Sequence, residues 1–293
     1  MPEDWRQGYF MQANDATQLV STEWLAERLG APDIRVLDAS MYLPTDGRDG
    51  RTIYDQGHIP GARFFDIDDI ADDKSQLPHM LPPVEKFVSR IRKMGIGDGH
   101  TVVVYDQQGI YSAARVWWTF RLFGHQDVAV LDGGLPKWQA EGRPVEDEPV
   151  DPRERHFTAR RNGAMVRDVT QMARAVKLGD EQIVDARAAE RFRGEAAEPR
   201  AGLRSGHIPG SMNVPFKTVL NDDQTMKSPD ELRAIFEAAG VDLSKPIVTT
   251  CGSGVTAAVL TLALARLGHS RNAVYDGSWV EWGAYQDLAV ETG

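Results

Sequence analysis

Hydrophobic positions along this chain fall into two alternating patterns. Thr101–Tyr105, Val128–Leu131, Pro246–Thr250 and Ala273–Tyr275 are short runs rich in β-branched and aromatic residues. Runs of that length and composition read as buried strands. Thr22–Leu29, Val84–Met94, Asp168–Leu178 and Pro229–Ala239 instead repeat apolar residues at helical spacing. Val255–Leu267 is apolar on nearly every side and stops at Gly268, which predicts a buried helix. A second long apolar helix is expected before Val128. Strands alternating with helices predict a mostly parallel α/β sheet flanked by helices.

The pattern occurs twice. Gly57-His-Ile-Pro-Gly-Ala62 returns as Gly206-His-Ile-Pro-Gly-Ser211, an offset of 149 residues (58 to 207). Val36-Leu-Asp-Ala39 returns as Ile183-Val-Asp-Ala186, offset by 147 (36 to 183), and the Asp-Gly…Trp turn at Asp132 returns at Asp276, offset by 144. Markers in the same order at nearly one offset predict a duplicated domain. Residues 142–163, rich in proline and charge, read as the linker, giving domains at 1–146 and 162–293. Pro and Gly in both HIPG segments build a turn, so His58 and His207 are expected to satisfy loop backbone groups rather than react.

Composition narrows the function. The net charge of −10 argues against nucleic acid or an anionic membrane as the main partner. No apolar run approaches the roughly 20 residues of a spanning helix. A single cysteine excludes an internal disulfide and suits a reducing compartment. Residues 1–15 lack a charged-then-apolar signal pattern, so a cytoplasmic location is expected.

That cysteine, Cys251, lies between the strand at 246–250 and the helix from 255, followed by Gly252, Ser253 and Gly254. A loop curling into a helix N-terminus turns backbone N–H groups inward, and the glycines permit the curl. Such donors favour a thiolate and would hold an anionic sulfur adduct. TTCGSGVTAA resembles the active-site loop of the two-domain rhodanese-like sulfurtransferases, in particular the 3-mercaptopyruvate sulfurtransferase branch. The thiosulfate-specific branch carries a more basic loop.

The resemblance implies two tandem rhodanese-like domains and an enzyme without metal or organic cofactor. It implies that Cys251 takes sulfur from 3-mercaptopyruvate as a persulfide, releases pyruvate, and passes the sulfur to cyanide, a small thiol or thioredoxin. Gly252, Gly254, Val255 and Thr256 would belong to the substrate loop, with Arg191 and Arg200 matching the arginines that hold the oxo acid. Asp68 and His79 match a relay to the serine that is Ser253 here. Arg187 and Arg193 are expected to be structural or solvent-facing. Asp106 stands where the first half would carry the cysteine (106 to 251, an offset of 145), so that half is expected to be non-catalytic and to wall the site. Neutral Gly252 and Ser253 favour mercaptopyruvate over the compact dianion thiosulfate, whose transfer is the alternative activity. A cysteine phosphatase would need an arginine at Ala257. A non-catalytic binding module would be expected to have lost Cys251.

Overall fold

The computed structural model describes residues 18–43 and 46–293. The expectation drawn from residues 1–15 therefore lies outside the described residues.

The first half runs β1 (Leu19–Val20), α1 (Thr22–Arg28), β2 (Ile34–Asp38), α2 (Gly50–Gln56), β3 (Arg63–Phe64), α3 (Ile67–Ile70), α4 (Val84–Lys93), β4 (Thr101–Tyr105), α5 (Ala113–Leu122), β5 (Val128–Leu131) and α6 (Gly134–Ala140). The second runs β6 (Val166–Arg167), α7 (Val169–Leu178), β7 (Gln182–Asp185), α8 (Ala189–Phe192), β8 (Met212–Asn213), α9 (Pro229–Ala238), β9 (Ile247–Thr250), α10 (Ala257–Arg266), β10 (Asn272–Tyr275) and α11 (Ser278–Trp282). Both sheets are wholly parallel, in the orders β1-β5-β4-β2-β3 and β6-β10-β9-β7-β8. These are one topology written twice, as the sequence repeat requires. Among the described residues, no helix is long and apolar enough to cross a membrane.

Local chemistry sets the element ends. Asp168 and Ser228 each form a reciprocal capping box, with Gln171 and Glu231, at the starts of α7 and α9. Gly179, in the left-handed conformation, ends α7. Gly61 and Gly210 close the HIPG turns with positive φ. The stretches before those turns, which carry no helical apolar repeat, hold α2 and α8, too short to show one. The buried helix begins at Ala257 rather than Val255, because Val255 and Thr256 complete the loop's curl.

α5 and α10 are buried all round and pack on each other, so one hydrophobic cluster runs through both halves. The linker lies against the first half: Arg160 N donates to Phe123 O, and a Cβ at Gly95 or Gly97 would collide with the backbone of residues 153 and 156. The halves also exchange matching hydrogen bonds. Asp132 Oδ1 accepts from Met226 N at 2.8 Å, and Asp276 Oδ2 accepts from Leu81 N at 2.9 Å.

Candidate functional site

Cys251 follows β9 directly and is buried at 1% exposure. Its carbonyl accepts from Trp279 N at 3.0 Å and its amide donates to Ser278 Oγ at 3.3 Å. The loop then turns at Gly254, whose φ of +78° is a left-handed value suited to glycine. A Cβ there would meet Asp276 O at 2.8 Å and Arg115 Nη1 at 3.0 Å, so both the dihedral and the space exclude a side chain.

The first half shows what such a loop can hold. Asp106 occupies the matching place, its loop turns at Gly109 (φ +109°), and its carbonyl accepts from Leu135 N at 3.0 Å, as that of Cys251 does from Trp279. The Asp106 carboxylate accepts from the amides of Gln108 and Tyr111 at 2.8 Å and of Ala113 at 2.9 Å. Burial raises its pKa, and these amides oppose the rise. The curl is thus an anion cradle. By the repeat offset of 145, the matching amides in the second half are those of Ser253, Thr256 and Ala258; the Ala258 amide donates to Val255 O at 3.2 Å, which leaves those of Ser253 and Thr256 for an anion.

Arg191 lies beside this loop: a Cβ on Gly252 would come within 3.1 Å of its Nη2. Its guanidinium pairs with Glu198 at 2.5 Å. Glu198, 2% exposed at its side chain, also takes Arg187 at 2.7 Å, and Arg187 holds Asp185 at 2.7 Å. Arg187 is therefore structural, and Arg193 pairs with Glu195 at the surface. Glu198 was not anticipated; an acid among the arginines of that stretch was its signal.

Asp68, His79 and Arg200 come together in a line. Asp68 Oδ1 lies 2.6 Å from His79 Nδ1, and His79 Nε2 lies 3.2 Å from Arg200 Nη2. The arginine can only donate, so Nε2 is the acceptor and Nδ1 carries the proton toward Asp68. That hydrogen bond holds the Asp68 carboxyl below the usual range, against a smaller opposing effect of burial. Ser253 is buried in the cysteine loop, and its hydroxyl bonds to no other described residue. The structure thus brings His79 to Arg200 and not to Ser253. The expected backbone roles of the HIPG histidines are seen: Nδ1 of His58 and His207 meet the carbonyls of Tyr54 and Phe192 at 2.9 and 2.8 Å.

Arg115 ties these parts together and was not singled out in the sequence. Its guanidinium donates to Gly254 O (3.2 Å), His79 O (2.6 Å) and Asp276 Oδ1 (2.6 Å). The ion pair is buried, with side chains 3% and 6% exposed. His79 has a positive φ of 60°, which its carbonyl bond to Arg115 helps hold. The signal was an arginine in the first turn of the apolar helix α5. Tyr111 adds a further wall, edge-on to Phe216 at 5.6 Å. Its pKa is pushed up to about 12, first by burial and then by Cys251.

Comparison with known proteins agrees with this fold. The rhodanese-like domain profile matches residues 21–141 and 168–285. Human 3-mercaptopyruvate sulfurtransferase is 46% identical over 270 residues, spanning 90% of this chain and 91% of its own length. Bovine thiosulfate sulfurtransferase is likewise 46% identical, over 271 residues, 90% of this chain and 91% of its own. The crystal structure of SseA from Escherichia coli, a 3-mercaptopyruvate sulfotransferase, superposes with a TM-score of 0.83 at 43% identity, covering 90% of this chain and 99% of that one. With two profile matches, two sheets of one topology and relatives aligned along most of its length, this chain belongs to the rhodanese-like family.

Proposed function

We propose that the protein is a 3-mercaptopyruvate sulfurtransferase, with residues 162–293 as the catalytic domain and 1–146 as the wall of its site. The observation that carries this reading is a cysteine in a cradle whose twin already holds a carboxylate. The thiolate of Cys251 attacks the substrate sulfur. The sulfur–carbon bond breaks and its electron pair stays on carbon, leaving pyruvate as its enolate and Cys251 as a persulfide. The enolate then takes a proton to become pyruvate. The amides of Ser253 and Thr256 stabilise the anionic sulfur. Gly252, Gly254 and Val255 shape the loop that presents it.

Arg191 and Arg200 bind the carboxylate and ketone of the oxo acid, since a guanidinium offers two parallel donors to each. Drawing Arg200 onto the substrate would free His79 Nε2 to accept from Ser253, with Asp68 fixing the tautomer. Ser253 then delivers the proton to the enolate. The chain has no second cysteine, so an external acceptor takes the outer sulfur: a small thiol, a thioredoxin-type dithiol or cyanide. Two half-reactions through one covalent intermediate predict ping-pong kinetics. A lone reactive thiol supports a reducing, cytoplasmic setting.

Thiosulfate transfer is the second reading, favoured by the equal identity to the bovine thiosulfate enzyme. The loop decides between them: Gly252 and Ser253 add no positive charge beside the sulfur for a compact dianion. Incubation with 3-mercaptopyruvate followed by intact-mass analysis tests the proposal. Gain of one sulfur on the wild type and none on Cys251→Ser is expected. A fully reduced wild type that stays unmodified overturns it, and a higher kcat/KM for thiosulfate overturns the choice of donor.

A further inference from the structure

Away from the cysteine, the first half carries a half-open cavity of about 250 Å³. That is the liquid volume of about eight waters and lies below the roughly 300 Å³ at which drug-sized sites begin. Arg51, His58, Arg63, Arg90 and Lys93 line it, and residues 147–152 of the linker close one side. The cavity shares no lining residue with the cysteine loop.

Its charges do not cancel internally. Arg51 is paired with Asp55 at 2.9 Å and Arg90 with Asp69 at 2.8 Å. Arg63 and Lys93 have no carboxylate partner among the described residues, and Asp147 is the one other acid in the wall. Arg63 is half-buried and donates to a backbone carbonyl, Gly61 O, at 3.3 Å. Burial pulls its pKa down, and the nearby Arg35 adds to that, yet no counter-ion compensates.

The orphaned atoms point the same way. His58 is 1% exposed and its Nε2 has no hydrogen-bond partner; the nearest acid, Glu146, stands 3.9 Å away. Nε of Arg63 and of Arg90 are also buried without partners. These nitrogens are closed to water, so the two arginines add positive field around the cavity while their outer nitrogens and Lys93 are left to meet an occupant. Tyr54, Phe64, Pro149 and Pro152 supply apolar wall beside them. This basic island sits on a chain of net charge −10, so the attraction is local.

We infer that this cavity binds a small organic anion, a carboxylate or phosphate monoester whose charged head meets Arg63 and Lys93 and whose flat apolar body lies against Tyr54 and Phe64. Its contact with residues 147–152 would pin the linker between the halves.

The test is calorimetric titration of the full chain with phenyl phosphate, benzoate and inorganic phosphate, together with hydrogen exchange of residues 147–152. The wild type is compared with Arg63→Gln, Lys93→Gln and, to report on the catalytic crevice, Arg191→Gln. Saturable one-to-one binding of an aromatic probe is expected, weakened at least tenfold by Arg63→Gln or Lys93→Gln and retained in Arg191→Gln, with slowed exchange at 147–152. Which aromatic probe binds more tightly assigns the head group. Lys93 is exposed, so its variant keeps the test valid if Arg63→Gln folds poorly. No saturable binding, binding indifferent to both first-half variants, or binding lost in Arg191→Gln overturns the inference. Inorganic phosphate binding as tightly as phenyl phosphate overturns its apolar part.

Discussion

Replacing Arg115 with leucine, the residue at the matching position 260 of the second half, should cost the protein much of its stability. The wild-type guanidinium neutralises Asp276 and satisfies the carbonyls of Gly254 and His79, all at buried positions. The variant leaves the Asp276 carboxylate with the Leu81 amide as its remaining bond across the interface. Removing one partner of a buried pair typically costs about 3–5 kcal/mol. The stacking of the guanidinium on Trp118, 4.5 Å from the ring centre, is lost as well, and leucine packing offsets part of the total. A net loss of about 3–5 kcal/mol lowers the melting temperature by roughly 10 °C in a chain this size. Urea unfolding followed by circular dichroism and tryptophan fluorescence reads it, provided the two probes coincide. In a double-mutant cycle with Asp276→Asn, the coupling should be at least about 1 kcal/mol. A cost under about 1 kcal/mol, or no coupling, refutes the argument. Sulfur transfer by the folded variant should also fall, because the same bonds hold the His79 and Gly254 backbones.

Gly254→Ala forces a side chain into a left-handed backbone and onto Asp276 O, so it should lose about 2 kcal/mol or more of stability in the same urea assay along with activity. Gly252→Ala meets only the flexible end of Arg191; stability should stay within about 0.5 kcal/mol while KM for the oxo-acid donor rises and kcat changes little, as loss of uniform binding requires. Glu141 carries a pKa lowered to about 2, first by Lys137 and then by Thr22, from an ordinary value of 4.5. A depressed carboxylate stabilises above its unfolded value and loses that contribution as pH falls from about 4.5 toward about 2. Glu141→Gln should therefore flatten the acid limb of the stability–pH curve while costing under about 1 kcal/mol at pH 7.

Strands β4 and β5 were legible to the residue, and the internal repeat foretold two sheets of one topology. Both rest on local pattern. α2 and α8 escaped because helices of seven and four residues have no room for a periodic face. The start of α10 was placed two residues early because Val255 and Thr256 are apolar or β-branched in loop and helix alike. The nucleophile candidate and its cradle were readable from one cysteine and two glycines. The clamp from Arg115 to Asp276 spans 161 residues of sequence, and no spacing rule joins positions so distant. The same holds for Arg200 against His79, 121 residues apart, where the resemblance supplied both residues but not their mutual contact.

Duplication poses a sharper test, since the first half keeps a cradle and lacks only the sulfur. Asp106→Cys restores a cysteine at the matching place, yet it should gain no sulfur on incubation with 3-mercaptopyruvate. Access is the reason. Gly109 lies so near Gln224 of the second half that a Cβ there would fall 2.3 Å from that side chain, so the segment reaching over from the second half covers the first cradle. The reciprocal segment, at 78–82, instead brings His79 to the cradle around Cys251, where Arg115 of α5 holds its carbonyl. Asp106 is fully buried and satisfied by its own loop, leaving no acceptor role for an incoming anion. The variant should lose about 2–3 kcal/mol, because a thiol is a poor acceptor for three amides that held a carboxylate. Intact-mass analysis on an Asp106→Cys, Cys251→Ser background isolates the new thiol. One added sulfur there would mean that the cradle alone suffices for transfer, and that the neighbours contributed by the opposite half are dispensable.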